Sequence, residues 1–224
     1  MTDVQDLIKR QPSGSVLDHI AIGGSDFDAL CDEFEARTGV TPHRIADEVA
    51  DTGTRSAVVP LGDGTSSIEL LAPDPRHPDT RHPVVPVLRA LAEPRALFWY
   101  IGVTDLAELE VQAKAQELPF IIQSAESPDG AYAFARAFFG MPSADAPDYA
   151  TPFLIEWLKR PEREPGWLPE SATGVTLREL ALERPAEGVA DRVAAWLGHG
   201  LSIGDGATSR AVLHLATPKG DVVF

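Results

Sequence analysis

The sequence predicts an α+β protein built from repeated βαβββ units. Three observations lead to this prediction. The order of predicted elements in residues 16–75 recurs in residues 96–160, and a weaker copy follows in residues 171–224. Apolar residues alternate in the predicted strands and recur every three to four residues in the predicted helices. The chain has 224 residues, of which 44% are apolar and 24% charged, a composition typical of a globular protein with a buried core.

The first unit sets the pattern. An alternating strand at residues 16–23 is followed by an amphipathic helix that ends at Gly39. Residues 54–61 and 65–72 then flank a Gly-Asp-Gly turn, which predicts a hairpin, and a short strand is expected near Ile45. The unit therefore has the order β-α-β-β-β.

The second unit repeats this order. Its predicted strands are residues 97–103, 120–123, 131–139 and 152–158. Thr104 is the expected N-cap of its helix. Residues 22–26 align without gaps with residues 101–105, and residues 68–70 align with residues 155–157. This self-similarity predicts that the two units are equivalent halves of one domain.

The third unit is a weaker copy in residues 171–224. Its predicted elements are a strand at 177–182, a helix over 189–197 that ends before Gly198, and a strand at 208–215. Pro-rich segments at residues 73–86 and 161–169 are expected to separate the units. Because an unpaired unit leaves an open sheet edge, we predict a homodimer.

The charge and cysteine content exclude several classes of protein. With 19 basic and 34 acidic side chains, the net charge is −15, which argues against binding to nucleic acid or to an acidic membrane surface. The apolar run at residues 96–103 is too short to span a bilayer. Residues 1–15 resemble a flexible leader rather than a signal peptide, and the single Cys31 cannot form an internal disulfide. A cytoplasmic location is expected.

Two histidines outside the repeats were weighed as site residues. His77 and His82 stand in Arg-His-Pro triplets, which could form a lid or a second metal site. We interpret this Pro-rich segment as a solvated loop, because such segments lack the rigidity that metal ligands need.

Three short motifs carry a resemblance to a known family. They are LDHIAIGGSDFD around His19, SIELLAPDP around Glu69 and PFLIEWLKRP around Glu156. Together with the paired βαβββ units, they resemble the vicinal oxygen chelate superfamily, and most closely its bacterial glyoxalase-like domain proteins. The resemblance implies that two units form a cup around a divalent metal, with His19, Glu69 and Glu156 as ligands. It also implies that Glu69 or Glu156 acts as a general base. Phe98 stands in register with His19, where a fourth ligand would be expected.

The chemistry of these residues predicts a small-molecule site. One imidazole and two carboxylates suit Mn²⁺, Ni²⁺, Zn²⁺, Fe²⁺ or Mg²⁺ without selecting one. Alternation predicts that both glutamates face the cup and that Phe98 and Tyr100 form an aromatic wall, which could bind a planar molecule or simply fill the core. The expected function is a metal-dependent lyase, isomerase or dioxygenase acting on a small oxygen-bearing molecule. The alternative is a metal-free binding or drug-sequestering protein, whose acidic cup would suit a cationic ligand.

Overall fold

The computed structural model describes most of the three units. The described residues are 16–45, 53–62, 66–80, 82–127, 130, 132–140, 148–159, 173–186, 188–197 and 203–224. The predicted leader and the second Pro-rich segment lie outside these ranges. Within them, no helix combines the length and apolar character needed to cross a membrane.

The order of elements follows the predicted repeat. The elements of the first unit are β1 (Val16–Gly23), α1 (Phe27–Thr38), β2 (His43–Arg44), β3 (Thr54–Pro60) and β4 (Ser67–Pro73). The connecting helix is α2 (Val84–Arg89). The elements of the second unit are β5 (Arg95–Gly102), α3 (Leu106–Ala115), β6 (Ile121–Glu126), β7 (Ala133–Phe138) and β8 (Phe153–Lys159). Those of the third are β9 (Thr176–Arg184), α4 (Val189–Leu197), β10 (Ile203–Asp205), β11 (Arg210–Thr217) and β12 (Gly220–Val223).

The first two units share one curled eight-stranded sheet with the order β2-β3-β4-β1-β5-β8-β7-β6. In each unit the first strand pairs in parallel with the last, β1 with β4 and β5 with β8. The antiparallel pair of β1 and β5 joins the two halves at the centre. This arrangement confirms the predicted α+β fold.

Helix α1 shows how local signals position the elements. Asp26 accepts a hydrogen bond from the backbone N–H of Ala29, and Gly39 ends the helix with a φ of 77°. The apolar stripe of α1, including Cys31 and Phe34, is buried and packs on β3 and β4. The helices of the two units thus cover one face of the large sheet and leave its other face as a cup.

Two local predictions need correction. Asp105, not Thr104, caps α3, because its carboxylate accepts from the backbone N–H of Glu108. The first Pro-rich segment is not only a linker, since it ends in helix α2. Val85 and Leu88 of that helix are fully buried. Their burial stabilises a short helix that the proline content of the segment does not predict.

The third unit keeps the element order but not the pairing of the other two. Its four strands form a separate sheet with the order β10-β9-β11-β12, in which β9 pairs in parallel with β10 and antiparallel with β11. Strand β11 packs against β5, and Phe224 stacks on Phe34 of α1 at 5.6 Å. The third unit therefore covers the helical side of the large sheet, away from the cup.

Candidate functional site

The cup is the face of the large sheet that carries His19, Glu69, Tyr100, Phe153 and Arg136. Strand register establishes this grouping, because residues paired on neighbouring strands share a face. His19 pairs with Tyr100, and Tyr100 pairs with Phe153. Glu69 pairs with Ala21, two residues after His19, so Glu69 lies on the same face. The prediction that His19 and Glu69 meet in the cup agrees with the structure.

A chain of polar contacts runs through His19. The Nδ1 atom of His19 lies 2.8 Å from Oδ1 of Asp18, and its Nε2 atom lies 3.5 Å from Oε2 of Glu69. The hydroxyl of Ser56 donates to Oε1 of Glu69 at 2.9 Å. His19 and Glu69 keep only 13% and 24% of their side-chain surface exposed, so their charges interact with little screening by water.

Asp18 joins this chain because β1 is irregular at that point. The register of β1 against β5 shifts between Leu17 and His19, as at a β-bulge. The Asp18 carboxylate can then reach His19, and its Oδ2 atom accepts a hydrogen bond from Nε1 of Trp157 at 2.9 Å. Strict alternation predicts the opposite face for Asp18, so the sequence alone does not reveal this contact.

The contacts between His19 and its neighbours shift the pKa values of both His19 and Glu69. Burial by itself would lower the pKa of His19, but hydrogen bonds and charge from Asp18 and Glu69 raise it from 6.5 to about 9. Burial would raise the pKa of Glu69, yet the nearby His19 and the Ser56 hydrogen bond bring it below its usual value. At neutral pH the cup therefore holds an imidazolium between two carboxylates.

An aromatic wall lies beside this polar chain. The His19 ring stacks on Tyr100 with 4.0 Å between centroids, and Phe98 stacks on Phe153 at 5.1 Å. Tyr100 also meets the edge of Phe153 at 5.2 Å. Phe98 and Tyr100 thus point inward, as alternation predicts. Whether they contact a ligand remains a prediction.

Two further residues belong to the cup: Arg136, which no sequence pattern singles out as a site residue, and His82, which the sequence places in a solvated loop. Arg136 on β7 pairs with Ile155 of β8, which places its side chain on the cup face. Its Nη2 atom lies 3.4 Å from Nε2 of His82, and burial together with the Arg136 charge lowers the pKa of His82 to about 4. The interpretation of residue 82 as part of a solvated loop is therefore wrong. The sequence does contain a signal for Arg136: it is the one charged residue in the apolar run AYAFARAFF, and charged residues are rarely buried unless they have a partner.

Glu156 is not brought together with His19 and Glu69. Phe153 faces the cup, so Ile155 and Trp157 share that face and Glu156 lies on the opposite one. Its Oε2 atom accepts a hydrogen bond from the backbone N–H of Leu106 at 3.0 Å, at the first turn of α3. The sequence match between residues 68–70 and 155–157 misplaced Glu156 because it ignored strand register.

Comparisons with known proteins identify the family. A model of the Glyoxalase-like domain family matches residues 17–198. The chain belongs to this family. No curated protein matches it significantly. Among solved structures, a hypothetical protein from Staphylococcus aureus superimposes with a TM-score of 0.60 at 12% identity, covering 88% of both chains. Methylmalonyl-CoA epimerase from Mycobacterium tuberculosis has a TM-score of 0.43 at 16% identity and covers 65% of this chain and 88% of its own. The family match confirms the predicted glyoxalase-like family, and the superposition on the Staphylococcus aureus protein shows that the two chains share a fold.

The symmetry of this glyoxalase-like cup shows what replaces a full set of metal ligands. The gap-free alignment of the two units puts Phe98 at the place of His19 and Tyr100 at the place of Ala21. Since Ala21 pairs with Glu69 and Tyr100 pairs with Phe153, Phe153 is the counterpart of Glu69. The second unit thus offers two stacked phenylalanine rings where the first offers an imidazole and a carboxylate.

The donor set does not fit a tightly held metal. Catalytic zinc sites use three protein ligands, and the two symmetry-related halves supply two, His19 and Glu69. Within the described ranges, no group of three His, Cys, Asp or Glu residues has the arrangement of a metal site. Glu179, which aligns with His19 in the third unit, pairs with His214 in the separate sheet.

Proposed function

We propose that this glyoxalase-like protein is an enzyme that transfers a proton to or from a small oxygen-bearing molecule in the cup, without a resident metal. The observation that carries the proposal is the largely buried His19, which lies between the carboxylates of Asp18 and Glu69 and stacks on Tyr100. Paired groups whose pKa values are driven apart are typical of acid–base catalysis.

Glu69 and His19 have complementary roles in this proposal. The Glu69 carboxylate removes a proton from a carbon next to a carbonyl group, and the electron pair of the broken C–H bond moves onto the carbonyl oxygen. The N–H at Nε2 of His19 donates to that oxygen and stabilises its developing charge. The 3.5 Å between Nε2 and Oε2 exceeds a typical N–H···O distance of about 2.9 Å, so a substrate oxygen can replace this contact. Return of the proton to another position completes an isomerisation.

The surrounding residues hold this pair in place. Asp18 orients the His19 ring and is itself held by the indole N–H of Trp157. Ser56 fixes the other oxygen of Glu69. Such supporting contacts fix a reactive pair in its working geometry. Tyr100 and Phe98 are both buried, and Tyr100 supports the His19 ring from behind by stacking on it.

Proton exchange with solvent tests this proposal without knowing the natural substrate. Small 2-oxo acids and aldehydes incubated with the protein in D₂O should exchange their acidic C–H for deuterium, as followed by proton NMR. His19→Gln and Glu69→Gln should each slow this exchange by about 100-fold or more, because general acid–base groups contribute factors of this size. Glu156→Gln is the matched control, since Glu156 lies outside the cup.

Metal analysis tests the other half of the proposal. Protein purified without chelator or affinity-tag histidines should contain no stoichiometric metal, and treatment with a chelator should leave the exchange rate unchanged. Stoichiometric metal that is absent from Glu69→Ala protein would overturn the metal-free proposal. That result would favour the metal-dependent lyase, isomerase or dioxygenase implied by the family resemblance.

A second candidate is a metal-free binding protein. The stacked Phe98 and Phe153 rings favour it, because they replace two polar positions of the cup with apolar side chains, and ligand pockets are mostly apolar. Saturable binding of such a ligand, with no proton exchange in any compound of the panel, would support this candidate over the enzyme.

A further inference from the structure

Arg136 provides a cation on the wall opposite Glu69. Its guanidinium lies over the rings of Phe134 and Phe138, with 5.6 Å and 5.5 Å to their centroids. Its charge also acts on the buried Tyr100: burial raises the pKa of that hydroxyl, and the nearby Arg136 cation opposes the rise. His19 and Ser56 are the main causes of the lowered pKa of Glu69, and the Arg136 charge adds a smaller effect in the same direction. Arg136 is therefore fixed in the same site as the proposed reactive pair.

The Arg136 guanidinium has no carboxylate in direct contact among the described residues. No ion pair joins it to a carboxylate there, and its buried Nε atom makes no hydrogen bond within that part of the chain. Its neighbour His82 is neutral at physiological pH and cannot balance the charge. Burying an arginine costs free energy unless an anion or several acceptors compensate for the lost water. The cup thus presents a half-buried guanidinium, with a buried Nε atom unpartnered in the described part of the chain, that an anionic group would complete.

Arg55, in the same sheet, provides a comparison for the surroundings of Arg136. Arg55 also lies over a phenylalanine ring, 4.2 Å from the centroid of Phe27, but it has Asp28 at 3.7 Å. Arg55 neighbours Ser56, which faces the cup, so Arg55 faces the helical side. Arg55, on the outer face, thus has a carboxylate of the same chain beside it. Arg136, on the cup face, has no carboxylate in contact among the described residues.

We propose that Arg136, with Tyr100 and His82 beside it, binds the carboxylate of the ligand, so that the ligand is a small carboxylate with a planar body. This inference rests on the proposed function and names its substrate class. A guanidinium binds a carboxylate through two parallel N–H···O bonds, which fixes the orientation of the ligand. The rings of Phe134 and Trp157, 5.7 Å apart and both half-buried, supply an apolar surface for its body. The carboxylate at Arg136 then leaves the rest of the molecule directed toward His19 and Glu69.

Three isosteric probes test the anchor directly: benzoate, the neutral benzamide and the cationic benzamidinium. Binding is followed by NMR at the indole N–H of Trp157 and the imidazole of His82. Benzoate should bind saturably and more tightly than either analogue. Its negative charge should also raise the pKa of His82, because it offsets the Arg136 cation that helps to lower that pKa.

Variants identify the residue responsible. Arg136→Met should weaken benzoate binding at least about tenfold, and Arg136→Lys should weaken it less, because lysine keeps the charge without the two-pronged geometry. Arg55→Met removes the same charge from the outer face and should leave binding unchanged. Equal binding of benzoate and benzamide, or unchanged benzoate binding in folded Arg136→Met protein, would overturn the proposal. So would the failure of acetate, pyruvate and benzoate alike to shift the His82 resonance in the unmodified protein.

The two proposals fail in distinguishable ways. If benzoate binding depends on Arg136 but no compound undergoes proton exchange, the carboxylate anchor stands and the enzyme proposal fails. If neutral aldehydes exchange as fast as 2-oxo acids and Arg136→Met leaves both rates unchanged, the enzyme proposal stands and the anchor fails. His19→Gln should slow exchange by about 100-fold or more while keeping benzoate binding, which separates the reactive pair from the anchor.

Discussion

The raised pKa of His19 predicts a specific dependence of stability on pH. The folded state holds the His19 proton up to about pH 9, whereas the unfolded chain releases it near 6.5. The proton therefore favours folding: its contribution is complete below pH 6.5 and is lost as the pH rises through 9. At about 1.4 kcal/mol per pKa unit, the full contribution is about 3 kcal/mol. His19 is largely buried, so solvent screening removes little of this value.

Urea unfolding of the unmodified protein and of His19→Gln at pH 6 and pH 9.5 measures this contribution. The stability advantage of the unmodified protein should shrink by roughly 3 kcal/mol between these two pH values. The buried Cys31 thiol, whose pKa is raised, also titrates in the alkaline range but affects both proteins alike, so the difference isolates His19. An advantage that stays constant, or grows with pH, would refute the argument that Asp18 and Glu69 hold the proton on His19.

The remaining predictions concern His82, Glu156 and the assembly. By NMR, His82 should titrate near pH 4 and its pKa should rise in Arg136→Met, because that change removes a nearby cation; an unchanged value would contradict the contact. Glu156→Ala should lower the free energy of unfolding by about 1 kcal/mol, since it removes the acceptor of the Leu106 N–H at a helix start, and should leave proton exchange intact. Loss of exchange in that variant would instead place Glu156 in the reaction. Sedimentation at micromolar concentration should give the mass of a homodimer, and a monomer mass would contradict this prediction.

The parts of the fold that depend on local signals could be predicted from the sequence. Alternation in β1 placed His19 on the same face as Phe98 and Tyr100, and the caps Asp26 and Gly39 fixed the ends of α1. These features follow from the conformational preferences of a few neighbouring residues. The repeat of such signals was enough to indicate two paired units.

Features that depend on strand register could not be predicted in this way. Shifting a strand by one residue moves every side chain to the other face, and nothing local to residues 155–157 fixes that shift. Glu156 was misplaced for this reason, and the irregularity that brings Asp18 to His19 is equally invisible in a single sequence. The contact between His82 and Arg136 joins residues 54 positions apart, so no pattern within one strand could reveal it.

The charges of the cup and of the whole chain act in opposite directions on a carboxylate ligand. Within the cup, Asp18 and Glu69 are balanced by His19 and Arg136, so the site itself is close to neutral at physiological pH. The chain as a whole carries −15, which repels an anion at distances beyond the cup. Salt screens this long-range repulsion more than the short contact with a half-buried Arg136. Benzoate should therefore associate faster as ionic strength rises from about 0.01 M to about 0.15 M, where the screening length falls from about 30 Å to about 8 Å. A cationic ligand would associate more slowly as ionic strength rises. The salt dependence of the association rate therefore distinguishes two ligand classes: the carboxylate that the structure favours and the cation that the acidic composition alone suggests.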